Sequence, residues 1–151
     1  MTQDISYRLH ESYGYRLSRL SRINEKHFEE AISPIGISRL TWCVLCAVGL
    51  EQIVFPSAIA AYLGVEKSII SRLLRDMEKD KLIIKKPHSG DGRATCIELT
   101  DKGQSILQKV KRHAAATARH FESKLTKQEL AEFYRLIDKL MEGEDTAIPR
   151  I

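Results

Sequence analysis

Several resources are scarce in this chain of 151 residues, and each shortage excludes something. Cysteine occurs three times, at Cys43, Cys46 and Cys96. An odd number without a framework spacing argues against a disulfide-stapled secreted scaffold and for a reducing compartment. No apolar run approaches the ~18 residues of a membrane span. The opening stretch MTQDISYRLHESYGYRLSRL carries an early Asp4 and no apolar signal core, so a cytoplasmic location with no membrane partner is expected. The sequence holds no Gly-rich phosphate loop, no paired general base and no His/Asp constellation, so it is not read as an enzyme: no catalytic residue and no cofactor is expected. His113 and His120 lack ligand spacing to the cysteines, and no metal site is expected. Neither sign of charge dominates. Lys and Arg number 24 against 20 Asp and Glu, giving +4 and a pI near 9.0, which permits an anionic partner without requiring one.

What is present reads as helical arms around a denser centre. Leu9, Tyr13, Leu17, Leu20 and Phe28 recur at helical spacing and predict a long helix over 5–32, broken by Ser33, Pro34 and Gly36. Ser38 is placed to cap a second helix through Trp42, Val44, Leu45 and Val48 that ends at Gly49. Pro56-Ser57 opens a short helix to Leu63, Gly64 marks a tight turn, and a third helix runs from about Lys67 to Asp80. LIIKK and TCIEL predict two strands joined through HSGDGR. Thr100 caps another long helix, and Thr126-Lys127-Gln128-Glu129 is a capping box that starts the last one. The expected fold is mainly α with a small β-hairpin wing: a winged helix-turn-helix over 38–100 and a helical dimerisation region over 5–32 and 101–142, all within one domain, 1–151. One small module cannot cover the apolar stripes of both arms. Burial between two copies would, at roughly 25 cal/mol per Å2 of apolar area, and a two-fold homodimer is the commonest arrangement.

The strongest local signal is IAAYLGVEKSIISRLL. A helix-turn-helix needs a small residue where its helices cross, here Ala60, and a residue tolerant of positive φ in the turn, here Gly64. Apolar residues must then fall at Ile59, Leu63, Val65, Ile70 and Leu73, and all do. On the second helix of the motif, Ile69, Ile70, Leu73, Leu74 and Met77 form one face. Ser68, Ser71, Arg72, Arg75 and Lys79 form the other. That stripe suits a major groove of duplex DNA. Arg72 and Ser71 are expected to read base edges, with Lys67, Ser68 and Arg75 mainly on phosphates. Charge counts agree with the pattern: from Pro56 to Thr100 there are eight Lys or Arg and six Asp or Glu, the basic ones gathered on this helix and the hairpin. On the hairpin, Lys85 and Lys86 are expected to contact DNA, with His88 beside them, and Arg93 is the candidate to enter an adjacent minor groove, whose negative potential favours arginine. The lysines also protect a strand edge against aggregation. Ser57 offers a hydroxyl and a helix start to a phosphate, or simply caps its helix.

These residues resemble the MarR family of bacterial transcription regulators along nearly the whole chain. GISRLTWCVL is similar to the family's second-helix segment, and PSAIAAYLGVEKSIISRLLRDMEKDKLI to its helix-turn-helix. DGR matches the Asp-x-Arg of its wing, and LTDKG the opening of its next long helix. The resemblance implies a triangular homodimer on pseudo-palindromic double-stranded DNA, Arg93 at the wing tip, and a repressor released by a small ligand, often an aromatic acid, or by thiol oxidation. It also implies a pocket between the dimer helices and the DNA-binding module, for which Tyr13, Arg16, His27, Trp42 and Cys46 are the candidates. Arg16 would pair a carboxylate and Trp42 would stack on a ring. Each has a plainer role as well: core for Tyr13 and Trp42, surface or interface for Arg16 and His27. One departure stands out. The family usually has Gly just after the recognition helix, where this chain has Lys81, and a left-handed helix exit costs more without Gly.

Two other functions compete. Cys43 and Cys46 have Cys-x-x-Cys spacing, so a thiol oxidoreductase or a redox-responsive regulator is conceivable. The pair lies inside an apolar helix with no βαβ context, however, where buried cysteines usually serve as small hydrophobes. A winged helix can also bind RNA or protein. The Arg/Ser stripe favours DNA.

Overall fold

The computed structural model describes residues 6–145, with only the backbone described at 91–93. The expected helix start at residue 5 and the tail beyond residue 145 lie outside the described residues. A 3-10 turn at Leu9–Glu11 leads into α1 (Tyr13–Ile32), and a second at Ser33–Ile35 leads to α2 (Arg39–Gly49). Then follow α3 (Pro56–Leu63), α4 (Lys67–Lys79), the antiparallel strands β1 (Ile83–His88) and β2 (Asp91–Leu99), α5 (Asp101–Glu122) and α6 (Lys127–Met141). The expected class, helices with a two-stranded wing, is the observed one.

Caps set most boundaries. Ser38, Thr100 and Thr126 accept from the backbone N–H of Thr41, Gly103 and Glu129, and Glu129 reaches back to complete the capping box. The first helix is shorter than its periodicity suggests. Ser12 is extended and its Oγ accepts from the Tyr15 N–H, so the α-helix starts at Tyr13. Leu9 keeps its place in the apolar pattern from a separate 3-10 turn. At α3 the extended cap is Phe55, with Pro56 in the first turn. Ser57 is therefore inside the helix and is not its cap. Proline at that position loses no intrahelical bond, which explains the earlier start.

The main core lies inside the winged module. Val44, Leu45 and Val48 of α2 meet Ile59 of α3 and Ile70, Leu74 and Met77 of α4. Leu82, Ile83, Ile97 and Leu99 of the hairpin region and Leu107 of α5 close it. A smaller cluster joins Phe28 and Ile32 of α1 to Val110 of α5. Ile37, Trp42 and Ile106 pack on both clusters, so α2 and α5 carry the connection between module and arms.

The helix-turn-helix turn is a Schellman motif. Gly64 sits at φ 65°, the Val65 N–H bonds the Ala60 carbonyl, and the Gly64 N–H bonds the Ala61 carbonyl. Helix α4 ends in the same way, with a lysine in the glycine position. Lys81 has φ 59°, the Leu82 N–H reaches the Met77 carbonyl, and the Lys81 N–H reaches the Glu78 carbonyl. The departure at Lys81 therefore leaves the exit geometry intact and strains the residue that makes it. Neighbours hold it there. The Thr100 hydroxyl donates to the Lys81 carbonyl, the Lys102 ammonium to the Asp80 carbonyl, and the Thr100 N–H to the Leu82 carbonyl. Lys81→Gly is expected to relieve a left-handed penalty of order 1 kcal/mol. For a chain of this size that raises the thermal midpoint by about 2–4 °C, as measured by calorimetry at fixed protein concentration.

Candidate nucleic-acid interface

Helix α4 divides as its sequence predicts. Ile70, Leu74 and Met77 are buried, and Ile69 and Leu73 are half-buried against the core. Ser68, Ser71, Arg72, Arg75 and Lys79 are all exposed on the opposite side, with Lys67 exposed in the first turn. No ion pair ties up Lys67, Arg72, Arg75 or Lys79 among the described residues. The helix thus presents cationic and hydroxyl groups on a straight face, fixed from behind by three fully packed side chains. Ser57 is exposed in the first turn of α3.

The hairpin pairs Ile83 with Leu99, Lys85 with Ile97 and Lys86 with Cys96, with an irregularity after Pro87. Only Ser89 and Gly90 form the turn, so β2 begins at Asp91 and DGRA belongs to the strand, not to the loop. The hairpin is anchored to the module in three places. The Ile97 N–H bonds the Val54 carbonyl at 2.8 Å. The His88 ring meets Phe55 edge-on, with centroids 5.1 Å apart. Lys85 reaches Glu78 of α4 at 3.4 Å. Lys86 faces the other way and pairs with Glu98 at 2.6 Å. Both lysines expected at DNA are therefore ion-paired. The side chain of Arg93, expected at the wing tip, lies outside the described residues. Glu78 and Phe55, the wing's partners, were missed by the sequence reading, although the alternation of Ile83, Lys85 and Pro87 places Lys85 on the inner face.

A helix-turn-helix with a two-stranded wing, flanked by long helices that extend its core, has counterparts of known family. The MarR family model matches residues 35–94, from the entry to α2 into the second strand of the wing. Among solved structures, a mutant of E. coli MarR complexed with operator DNA superposes with a TM-score of 0.77 at 21% identity, covering 85% of this chain and 92% of that one. The S. aureus MepR–DNA complex matches with a TM-score of 0.81 at 19% identity, covering 87% and 96%. CouR from Rhodococcus jostii, bound to p-coumaroyl-CoA, matches with a TM-score of 0.80 at 20% identity, covering 93% and 99%. The central part of the chain is thus similar to the MarR family, and the chain as a whole shares the fold of these solved structures. Members of the MarR family are winged-helix, DNA-binding transcription regulators, and this chain has that fold.

The five candidates for a MarR-type ligand pocket do not share one environment. Tyr13 is 75% exposed at the start of α1. Arg16 is also exposed, and its Nε donates to the His10 carbonyl. Half-buried His27 faces α5. Its Nδ1 lies 3.3 Å from the Thr117 hydroxyl, and its ring stacks on His120 with centroids 4.5 Å apart. Trp42 leans on Phe28 between the two apolar clusters. Cys46 is half-buried on α2. Within a protomer Trp42 and Cys46 border the main core, His27 belongs to the α1–α5 contact, and Tyr13 and Arg16 stand apart.

Cys43 and Cys46 are poor nucleophiles. Burial pushes the Cys43 thiol above its ordinary value, and burial, reinforced by Cys43 and Glu51, pushes Cys46 up to about 12. Both are then protonated thiols at neutral pH, which is the unreactive form. Among the described residues no cluster of three or more His, Cys, Asp or Glu is placed to hold a metal ion. No single helix there is long and apolar enough to cross a membrane.

Proposed function

We propose that the chain acts in the cytoplasm as a homodimer that binds a pseudo-palindromic duplex and represses transcription until a small ligand releases it. The observation that carries the reading is the exposed Ser68, Ser71, Arg72, Arg75 face of α4, whose arginines make no ion pair among the described residues. In this reading α4 enters the major groove. Arg72 and Ser71 contact base edges, while Lys67, Ser68, Arg75 and Ser57 hold phosphates. Lys86 and Arg93 approach from the wing, Arg93 into the minor groove. The DNA complexes of MarR and MepR support the partner class. The effector class is supported by CouR with p-coumaroyl-CoA, and by PcaV of Streptomyces coelicolor with its natural ligand. A ligand beside Trp42 would touch a residue that packs on both apolar clusters, so its binding would be felt by arms and module together. A thiol-based switch is disfavoured by the raised Cys43 and Cys46 thiols.

Two substitutions test the DNA reading on a site selected from random duplexes. Arg72→Ala should cost about 1–3 kcal/mol and relax preference at one base pair of each half-site. Arg75→Ala should weaken all duplexes alike and reduce the salt slope by about 1 for each phosphate that it no longer neutralises. Unchanged affinity and preference for both variants would remove α4 from the interface.

A further inference from the structure

We propose that Glu78 and Lys85 form a strut that sets the wing relative to the recognition helix, so that Lys85 serves DNA binding by position and not by touching phosphate. The inference rests on the DNA-binding reading above. Lys85 lies on the inner face of the hairpin, two residues after buried Ile83 and opposite buried Ile97. Its side chain is 30% exposed, against 50% for outward-facing Lys86. The ammonium ends on Glu78, 3.4 Å away.

Glu78 is two turns beyond Ser71 on α4, and at helical periodicity the two share a flank with Lys67, beside the Ser68–Arg75 face. The wing is therefore pinned to the side of the helix that carries Ser71. Its other fastenings, Val54 to Ile97 and Phe55 to His88, hold it to the segment before α3. Only the Glu78–Lys85 pair, among the ion pairs of the described residues, joins the wing to the helix that would read the groove. An acid beside a phosphate-binding face weakens DNA binding by repulsion. Its placement is accounted for if its attraction to Lys85 positions the wing.

The test uses the full-length protein and a duplex selected from a random library. The electrostatic expectation for Glu78→Gln is tighter binding, because a negative charge is removed near DNA. The strut predicts the opposite. Glu78→Gln and Lys85→Gln should each weaken the specific complex about two- to fivefold, the range open to one partly exposed pair, with an unchanged salt slope. Lys85→Arg should keep wild-type affinity, and the exchange of the two residues (Glu78→Lys with Lys85→Glu) should recover most of the loss. Thermal melting of each variant confirms that it folds. Tighter binding by Glu78→Gln, a salt slope lowered by about 1 in Lys85→Gln, or no effect of either substitution would overturn the proposal. Failure of the wild-type protein to prefer any duplex would instead overturn the DNA reading itself.

Discussion

Replacing Leu136 and Leu140 together by Glu should convert the protein from dimer to monomer and abolish tight operator binding. Helix α6 has no buried residue within the protomer, yet it exposes Phe133, Leu136, Leu140 and Met141. An isolated 15-residue helix is marginal in water. Its Tyr134 hydroxyl donates to Glu122 of α5 at 2.6 Å. Helix α1 exposes Tyr13, Leu17, Leu20 and Ile23, with Leu9 just before it. Two copies joined through these faces bury both stripes, whereas one copy leaves both in water. Leu136 and Leu140 lie one turn apart on α6, so two carboxylates there would face one another's counterparts across the proposed interface. Sedimentation should give the monomer mass. Affinity for the palindrome should fall by about 10²–10⁴, because the second half-site is no longer engaged by a linked module. Glu132→Ala, on a solvent-facing ion pair with Arg135, should leave the mass unchanged. A double-Glu variant that still sediments as a dimer would move the interface elsewhere.

Local chemistry made most of the fold legible. Ser38, Thr100 and Thr126 announce helix starts because a hydroxyl at the cap satisfies an otherwise free N–H. Gly64 announces the helix-turn-helix because its φ of 65° suits a residue without a side chain. Apolar spacing identified the buried face of α4 residue by residue.

The failures have equally local causes. Periodicity carried Leu9 into α1 because a 3-10 turn preserves the direction of the stripe while Ser12 ends its continuity. Pro56 was available as a first-turn signal, but Ser57 beside it is a more familiar cap. The hairpin loop was drawn too long because Asp91 and Gly92 are turn-forming residues, yet both lie within β2, where Asp91 pairs with His88. The interface residues on α4 are legible because one helix supplies them. Glu78 with Lys85, Phe55 with His88 and His27 with His120 are not, because each joins elements that only the tertiary fold brings together.

Gly103→Ala should lower the stability of the protein markedly. Gly103 is buried in the first turn of α5, where a Cβ would collide with the Leu82 carbonyl oxygen. That obstacle is backbone, not a flexible side-chain tip, so relief requires moving α5 away from the segment between α4 and β1. The same carbonyl accepts from the Thr100 N–H, and the neighbouring Lys81 carbonyl accepts from the Thr100 hydroxyl. Separation would therefore loosen both bonds, together with the strained Lys81 turn that they hold. Overpacking usually costs 1–3 kcal/mol, and better helix propensity for Ala returns less than about 1 kcal/mol. A net loss of about 2 kcal/mol is expected, which lowers the thermal midpoint by about 4–8 °C at fixed protein concentration. Because the displaced segment is the root of the wing, specific DNA affinity should fall even well below the midpoint, with Arg72 and Arg75 untouched. Lys102→Ala provides the contrast: it removes one exposed bond to the Asp80 carbonyl and adds no clash, so its midpoint should stay close to wild type. A Gly103→Ala protein that melts with the wild type would mean that α5 can withdraw from Leu82 freely, and the wing would then not be held from that side.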